Sequence, residues 1–296
     1  MRVWAALGAI YLIWGSTYLA IRLMVETVPP ALGAGVRFLI AGSAMLAFLM
    51  YKSSVRVTRA QLGWCLVVGS LLAAGGNGLV TVAERDVPSG LAALLIASEP
   101  LIIVLLRGVT GDRADRMTLA GVALGFLGVG ILMLPGGRPD DVPLGMTLLV
   151  LVASLSWALG SFISPRVDLP KDPLVSTGWS LLLGGAILTA AGLIGGEGGD
   201  VHVGAFSAKS IAALAYLVVV GSIVAFSCYS WLLANAPISQ VSTYAYINPV
   251  IAVALGALFL SESVAAATVV GMSLVVASVV VIVRREAVRE DAVQVE

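Results

Sequence analysis

Arg37 and Glu99 are ionisable side chains set deep inside stretches that are otherwise apolar. FLIAGSAMLAFLM follows the first, and SGLAALLIASEPLIIVLLRG encloses the second. A guanidinium and a carboxyl in such surroundings can pair and hold two helices together, or bind the charged ends of a solute. The carboxyl can also carry a proton. Glu99 directly precedes Pro100, which lacks the backbone donor that would reach Ile96, so the chain is expected to bend there and leave that carbonyl free. Pro249 stands in the same relation to Ala245, and both prolines are read as helix breaks. Polar and aromatic residues recur around them at helical spacing: Trp14 with Tyr11 and Tyr18, Asn77 with Thr81, Trp157 with Ser161, and Tyr244 with Asn248. Ser227, Tyr229 and Ser230 form a further polar group. The candidate substrate contacts are Trp14, Tyr18, Arg37, Asn77, Thr81, Glu99, Trp157, Ser161, Tyr229, Tyr244 and Asn248, with interhelical packing as the competing reading of each. His202, the only histidine, falls in a short loop and is assigned no role.

The elements that position these residues follow from composition. The chain has 296 residues, 59% hydrophobic and 11% charged, with mean hydropathy +1.02. A soluble domain carries about 25% charged residues. Apolar runs of about 20 residues suit a ~30 Å hydrocarbon core crossed at 1.5 Å per residue. Ten spans are expected, near 3–22, 30–50, 61–82, 88–106, 117–134, 144–163, 174–194, 208–232, 238–260 and 264–283. The breaks carry Pro, Gly and charge, as in VETVPP, AERDVP and PGGRPDDVP. The expected fold class is an all-α polytopic membrane protein with no attached soluble domain. Strands of a closed β-barrel are shorter and alternate apolar with polar, which excludes that class. The first run is read as a retained span rather than a signal peptide. Cys65 and Cys228 both fall in apolar runs, so no disulfide framework is expected. Glu99 lies about 16 Å into its span and Arg37 about 10 Å into its own, from the same side. On the lipid face a mid-span charge costs at least ~2.5 kcal/mol, so both must face protein or water.

With the N-terminus inside, 12 of the 17 Lys and Arg fall in inner segments and 4 in outer ones. That asymmetry places both termini in the cytoplasm. The chain also repeats. PSGLAALLIASEP (88–100) and PISQVSTYAYINP (237–249) each carry two prolines 12 apart, at an offset of 149, and Glu99 corresponds to Asn248. At an offset of 143, Trp14 meets Trp157, Pro30 meets Pro173, Gly35 meets Gly178 and Gly42 meets Gly185. Each copy has five spans. Five is odd, so the second copy is inverted, an arrangement that in secondary transporters holds substrate near the midplane between halves. The copies are assigned to 3–134 and 144–283, with 284–296 as a cytoplasmic tail.

The stretches YLIWGSTYLAIRLMVETVPPALGAGVRFL, GNGLVTVAERDVPSGLAALLIASEP and STYAYINPVIAVALGALFLSE resemble the EamA family of the drug/metabolite transporter superfamily, most closely its YedA-like branch of bacterial inner-membrane proteins. The resemblance covers about residues 3–283. It implies a ten-helix carrier of two inverted EamA repeats, whose cavity is formed mainly by helices 1–4 and 6–9. Members export amino acids, other metabolites or drugs. Family motifs fall on Trp14, Gly15, Arg37, Pro88, Pro100, Trp157, Pro237, Pro249 and Glu262. Many relatives have Glu before the second-half proline, where this chain has Asn248. The expected function is a secondary transporter moving small metabolites, amino acids or similar amphipathic solutes, across the bacterial inner membrane by alternating access, with export expected. Its partners are then the solute, the lipid bilayer and protons as candidate coupling ion. No cofactor, metal or nucleic acid is implied. The alternatives on the same scaffold are a membrane enzyme or a channel. The sequence lacks H-E-x-x-H, G-x-S-x-G and Walker motifs and an intramembrane Asp pair, which disfavours the enzyme.

Overall fold

The structure is a computed structural model, and it describes residues 2–52, 55–111, 114–134, 136–137, 139–236, 241 and 243–295. Pro237, which opens the second proline pair, and the side chain of Ser230 lie outside the described residues. The helices are α1 (Arg2–Met24), α2 (Pro30–Lys52), α3 (Arg59–Ala83), α4 (Ser89–Val109), α5 (Arg116–Met133), α6 (Leu144–Ile163) and α7 (Pro173–Ile194). Then come α8 (Ala208–Val218 continuing through Ala225–Asn235), α9 (Tyr244–Leu260) and α10 (Ala266–Val295). Among the described residues nine helices are long and apolar enough to cross a membrane, and α9 is a shorter apolar helix.

Local chemistry sets the helix starts. The Thr58 hydroxyl accepts from the Gln61 amide while the Gln61 side chain accepts from the Thr58 amide, a reciprocal cap on α3. Asp115 caps α5 through the Thr118 amide, and this hydrogen bond first of all lowers its carboxyl below the usual range. Asp172 caps α7, and Ser207 caps α8. Prolines open α2 and α7, where a missing N–H is harmless.

Two kinds of irregularity mark the interior. Helix α4 is interrupted at Ala97–Ser98, between Ser89–Ile96 and Glu99–Val109. Glu99 and Pro100 therefore open its second half, and the Ser154 hydroxyl approaches the Ile96 carbonyl at 3.4 Å. The expected break at Pro249 takes a different form. Pro249 lies inside the continuous helix Tyr244–Leu260, five residues after its first residue, with no interruption at the ring. The second irregularity is a π-helical segment in α3 (Ser70–Gly78) and another in α8 (Val219–Val224). Ser70 and Val219 are 149 apart, the offset that relates the proline-bearing spans. In each segment a side chain bonds a carbonyl five residues back: Asn77 to Leu72 (3.4 Å) and Ser222 to Leu217 (2.9 Å).

The halves interlock about a seam of small residues. A Cβ on Gly42 would lie 2.6 Å from the Leu182 nitrogen and 2.8 Å from the Gly178 oxygen. One on Gly185 would lie 2.8 Å from the Leu39 nitrogen and 3.0 Å from the Gly35 oxygen. Gly35 thus meets Gly185 and Gly42 meets Gly178, so α2 and α7 run antiparallel. Each glycine touches the repeat counterpart of the other, as an inverted repeat requires at its two-fold axis. Helices α5 and α10 pack likewise, with Gly128 against Gly271, again 143 apart. Helix α1 packs on α8 and α9, and α6 packs on α3 and α4, which are the same two contacts related by the repeat.

Candidate functional site

The interrupted α4 and the π segment of α3 border one cavity between the halves, and Ser222 of the π segment of α8 bonds Arg37 on its wall. Its deep end, about 90 Å³, is lined by Trp14, Tyr18, Arg37, Asn77, Glu99, Trp157, Tyr244 and Asn248, together with Thr17, Ile21, Gly76, Val80, Ile96 and Phe226. It shares Trp14, Asn77, Trp157, Phe226 and Tyr244 with a vestibule of about 530 Å³. The vestibule adds Ser161, Tyr229 and the α6–α7 connection from Ser164 to Pro173. In a ten-span chain that connection lies on the face that carries both termini, here called the terminal face. Ligand pockets for small molecules commonly hold ~300–1,000 Å³, so the vestibule is of solute size. None of these lining residues belongs to α5 or α10.

Each wall has a distinct chemistry. One is aromatic: Trp14 meets Phe226, Tyr229 and Tyr244 with ring centroids 5.7, 5.2 and 5.1 Å apart. Tyr11, one turn from Trp14, hydrogen-bonds the Thr243 hydroxyl, which fixes α1 against the start of α9. Trp157 packs on Gly76, where a Cβ would come 2.7 Å from its ring. The π segment and its glycines therefore let the indole approach the backbone of α3, and Ser156 beside it donates to the Leu71 carbonyl at 2.8 Å.

The polar groups are few. Arg37 is 2% exposed, and its Nε donates to the Ser222 hydroxyl at 3.0 Å. Among the described residues its Nη1 has no hydrogen-bond partner, nor has Oδ1 of Asn248. Glu99 accepts from Ser161 at 3.4 Å. The pairing of Glu99 with Arg37 that the sequence allowed is absent: each bonds a serine of its own, and no hydrogen bond joins them. Thr81 is fully buried and donates to the Asn77 carbonyl at 2.8 Å, outside the lining. Ser227 likewise turns to the Ile223 carbonyl. Buried donors and acceptors are almost always paired, so these two unpartnered atoms, both on residues that line one cavity, are exceptions. Sequence reasoning passed over Phe226, although it stands 149 residues from Asn77 and the repeat offset could have found it. Ser222, which orients Arg37, carried no such signal.

Past the deep end the opposite, distal face is shut. Ile21, Met24, Val28 and Leu217 form an apolar plug. Above it Arg22 donates to the carbonyls of Glu84 and Arg85. Loops of the second half clamp helices of the first. Glu262 accepts from the Ser89 amide and hydroxyl and the Gly90 amide (2.8, 2.9 and 3.1 Å), and Glu197 from the amides of Ala31 and Leu32 (3.1 and 2.9 Å). Each carboxylate thereby caps a helix N-terminus across the interface. Lys209 pairs with Glu26 at 2.5 Å. The site is thus open toward the terminal face and closed toward the distal one.

Comparison with known proteins bears on this architecture. The model of the EamA-like transporter family matches residues 3–134 and 144–284. The uncharacterized inner membrane transporter YedA of Escherichia coli K12 is 37% identical over 283 residues, covering 95% of this chain and 90% of that protein. The probable amino-acid metabolite efflux pump of Salmonella typhimurium is 25% identical over 275 residues, covering 90% of each. A crystal structure superposes with a TM-score of 0.65 at 20% identity, covering 95% of this chain and 96% of the other, which is a likeness of fold. With two copies of the family's repeat folded around one cavity, and a relative above one-third identity along nearly its whole length, this chain belongs to the EamA-like transporter family.

Proposed function

We propose that the chain is a secondary carrier of the inner membrane that moves small zwitterionic solutes, amino acids or molecules like them, by alternating access. The observation that carries this reading is the pair of unsatisfied groups on one cavity, Arg37 Nη1 and Asn248 Oδ1, with the Glu99 carboxyl lining the same space. Arg37 suits a carboxylate, since a guanidinium is built to donate to one. Asn248 Oδ1 and Glu99 suit an ammonium. The aromatic wall of Trp14, Phe226, Tyr229 and Tyr244 suits the apolar remainder and any cationic end. Asn248 and Glu99 are repeat counterparts, so the two interrupted or proline-bearing helices each bring one acceptor to the midplane, the position that secondary carriers use.

Orientation follows from the charge asymmetry of the loops, which puts the terminal face in the cytoplasm. On this reading the cavity opens inward, with the distal face closed. A relative described as an amino-acid metabolite efflux pump supports an outward direction for the solute. Thermal stabilisation of the purified protein tests the solute class. Amino acids should raise the melting temperature, whereas the matching amines without a carboxylate and N-acetylated analogues should not. Equal stabilisation by uncharged aromatic compounds would contradict the zwitterion site.

A further inference from the structure

Glu84 ends α3 on the distal side, in the turn AERDVP that reads as a solvated loop. Its side chain is 0% exposed, and neither carboxyl oxygen has a hydrogen-bond partner among the described residues. Four charged or titratable groups near it come from three elements. Arg22 of α1 lies against it, but its guanidinium is engaged by the carbonyls of Glu84 and Arg85. Glu262, after α9, is engaged by the start of α4. Tyr18 of α1 and Arg37 of α2, both on the deep end of the cavity, lie within its electrostatic reach, and Arg37 Nη1 has no hydrogen-bond partner among the described residues. The carboxyl also stands at the C-terminal end of α3, where a negative charge meets the negative end of the helix dipole. An ionised carboxylate without donors in a dry site is strongly disfavoured and takes up a proton instead. Burial pushes this carboxyl well above the usual carboxylate range; Glu262 acts in the same direction, against Arg22 and Arg37.

We infer that Glu84 is a proton-binding site of the carrier, and that the distal face closes over it only when its carboxyl is protonated. The inference rests on the alternating-access reading above, but assigns the proton to a residue outside the solute cavity. Opening the distal face exposes Glu84 to water on that side. Closure requires a proton to pass from that water to a carboxylate oxygen, giving the neutral acid seen enclosed here. Tyr18 and Arg37 line the cavity and lie within electrostatic reach of Glu84, so the cavity is the way out to the terminal face. Each closure thus carries a proton inward, opposite to the movement of an exported solute. Because the closed state holds the proton more tightly than the open one, closure is favoured at low pH and lost as pH rises through the closed-state value.

The test reads the distal face without any solute. In full-length protein in nanodiscs, with Cys65 and Cys228 replaced by Ser, a cysteine is introduced at Val87, which is fully buried in the distal turn. Its labelling rate by an impermeant maleimide is divided by that of a cysteine at the exposed neighbour Asp86, which cancels thiol ionisation. The ratio should rise with pH by up to about tenfold per unit, as one linked proton dictates. In Glu84→Gln it should stay low and flat, with melting temperature retained, because Gln resembles the neutral acid. The same rise in Glu84→Gln, a flat ratio with Glu84 intact, or a rise abolished by Glu262→Gln but not by Glu84→Gln would overturn the assignment. A marked loss of stability in Glu84→Gln would also overturn it, since that is the mark of an ionised, paired carboxylate. Failure here with solute stabilisation intact would leave the carrier reading standing and remove only the proton site.

Discussion

Arg37 Nε is held by one hydrogen bond, while its Nη1 has no partner among the described residues, which suits the solute-binding role proposed for it. Ser222 fixes Nε, while Nη1 of the same cavity-lining side chain is buried without a hydrogen-bond partner among the described residues. A hydrogen bond to a charged group contributes roughly 1.5–3 kcal/mol. Arg37→Gln should therefore weaken binding of a carboxylate-bearing solute by about ten- to a hundredfold, measured by titration of the purified protein. Asn248→Ala should weaken it less, since one neutral acceptor is lost. Glu99 and Arg37 do not touch, so the stability effects of Glu99→Gln and Arg37→Gln should add to within about 0.5 kcal/mol in the double variant. Rescue of one by the other would contradict the separate bonding. Both charges were legible in the sequence, because ionisable groups are rare at membrane depth. Their partners were not. Depth along a helix follows from residue count, whereas the direction a side chain faces depends on how the helices pack. Glu84 was hidden for a related reason: its neighbours Arg85 and Asp86 are exposed, and it is buried by helices and a loop remote in sequence.

The elements owe their positions to small residues at close crossings. On Gly42 a methyl group would press on the backbone of α7, at the Leu182 nitrogen and Gly178 oxygen, which no rotamer change can relieve. Gly42→Ala should lower stability in detergent by about 1–3 kcal/mol, as overpacking does. Gly8→Ala, with nothing within 4 Å, should be neutral or slightly stabilising. Equal effects would show that the α2–α7 seam is loose. The glycine correspondence and the helix starts at Pro30 and Pro173 were readable from residue type and spacing. The π segments were not, since a single widened turn leaves the 3.6-residue pattern almost unchanged over the length of a span. Proline gave a partial signal. At Pro100 the interruption falls just before Glu99, whereas Pro249 lies within the continuous helix Tyr244–Leu260, so a proline in an apolar span signals a weakened turn but not where the helix is interrupted.

At the scale of the whole molecule, two five-helix copies of opposite topology meet along α2–α7 and α5–α10, and enclose a cavity with one shut end. The shut end is held by contacts that can be exchanged: carboxylates on helix N-termini, an Arg on two carbonyls and a four-residue apolar plug. Glu262→Gln should weaken the cap on α4 and raise labelling of a cysteine at Val87 from the distal side, and an unchanged rate would show that the plug alone closes that face. The inverted architecture was legible because the repeat offset and an odd span count dictate it. Which end is open was not, since both states of a carrier share one sequence. The central claim is that solute crosses by exchange of the open face, and counterflow tests it most directly. Proteoliposomes loaded with unlabelled amino acid and diluted into a trace of the labelled one should accumulate label transiently, with saturation, and Arg37→Gln should abolish the overshoot. Monotonic equilibration of the label, unaffected by the internal load, would contradict alternating access and identify a channel.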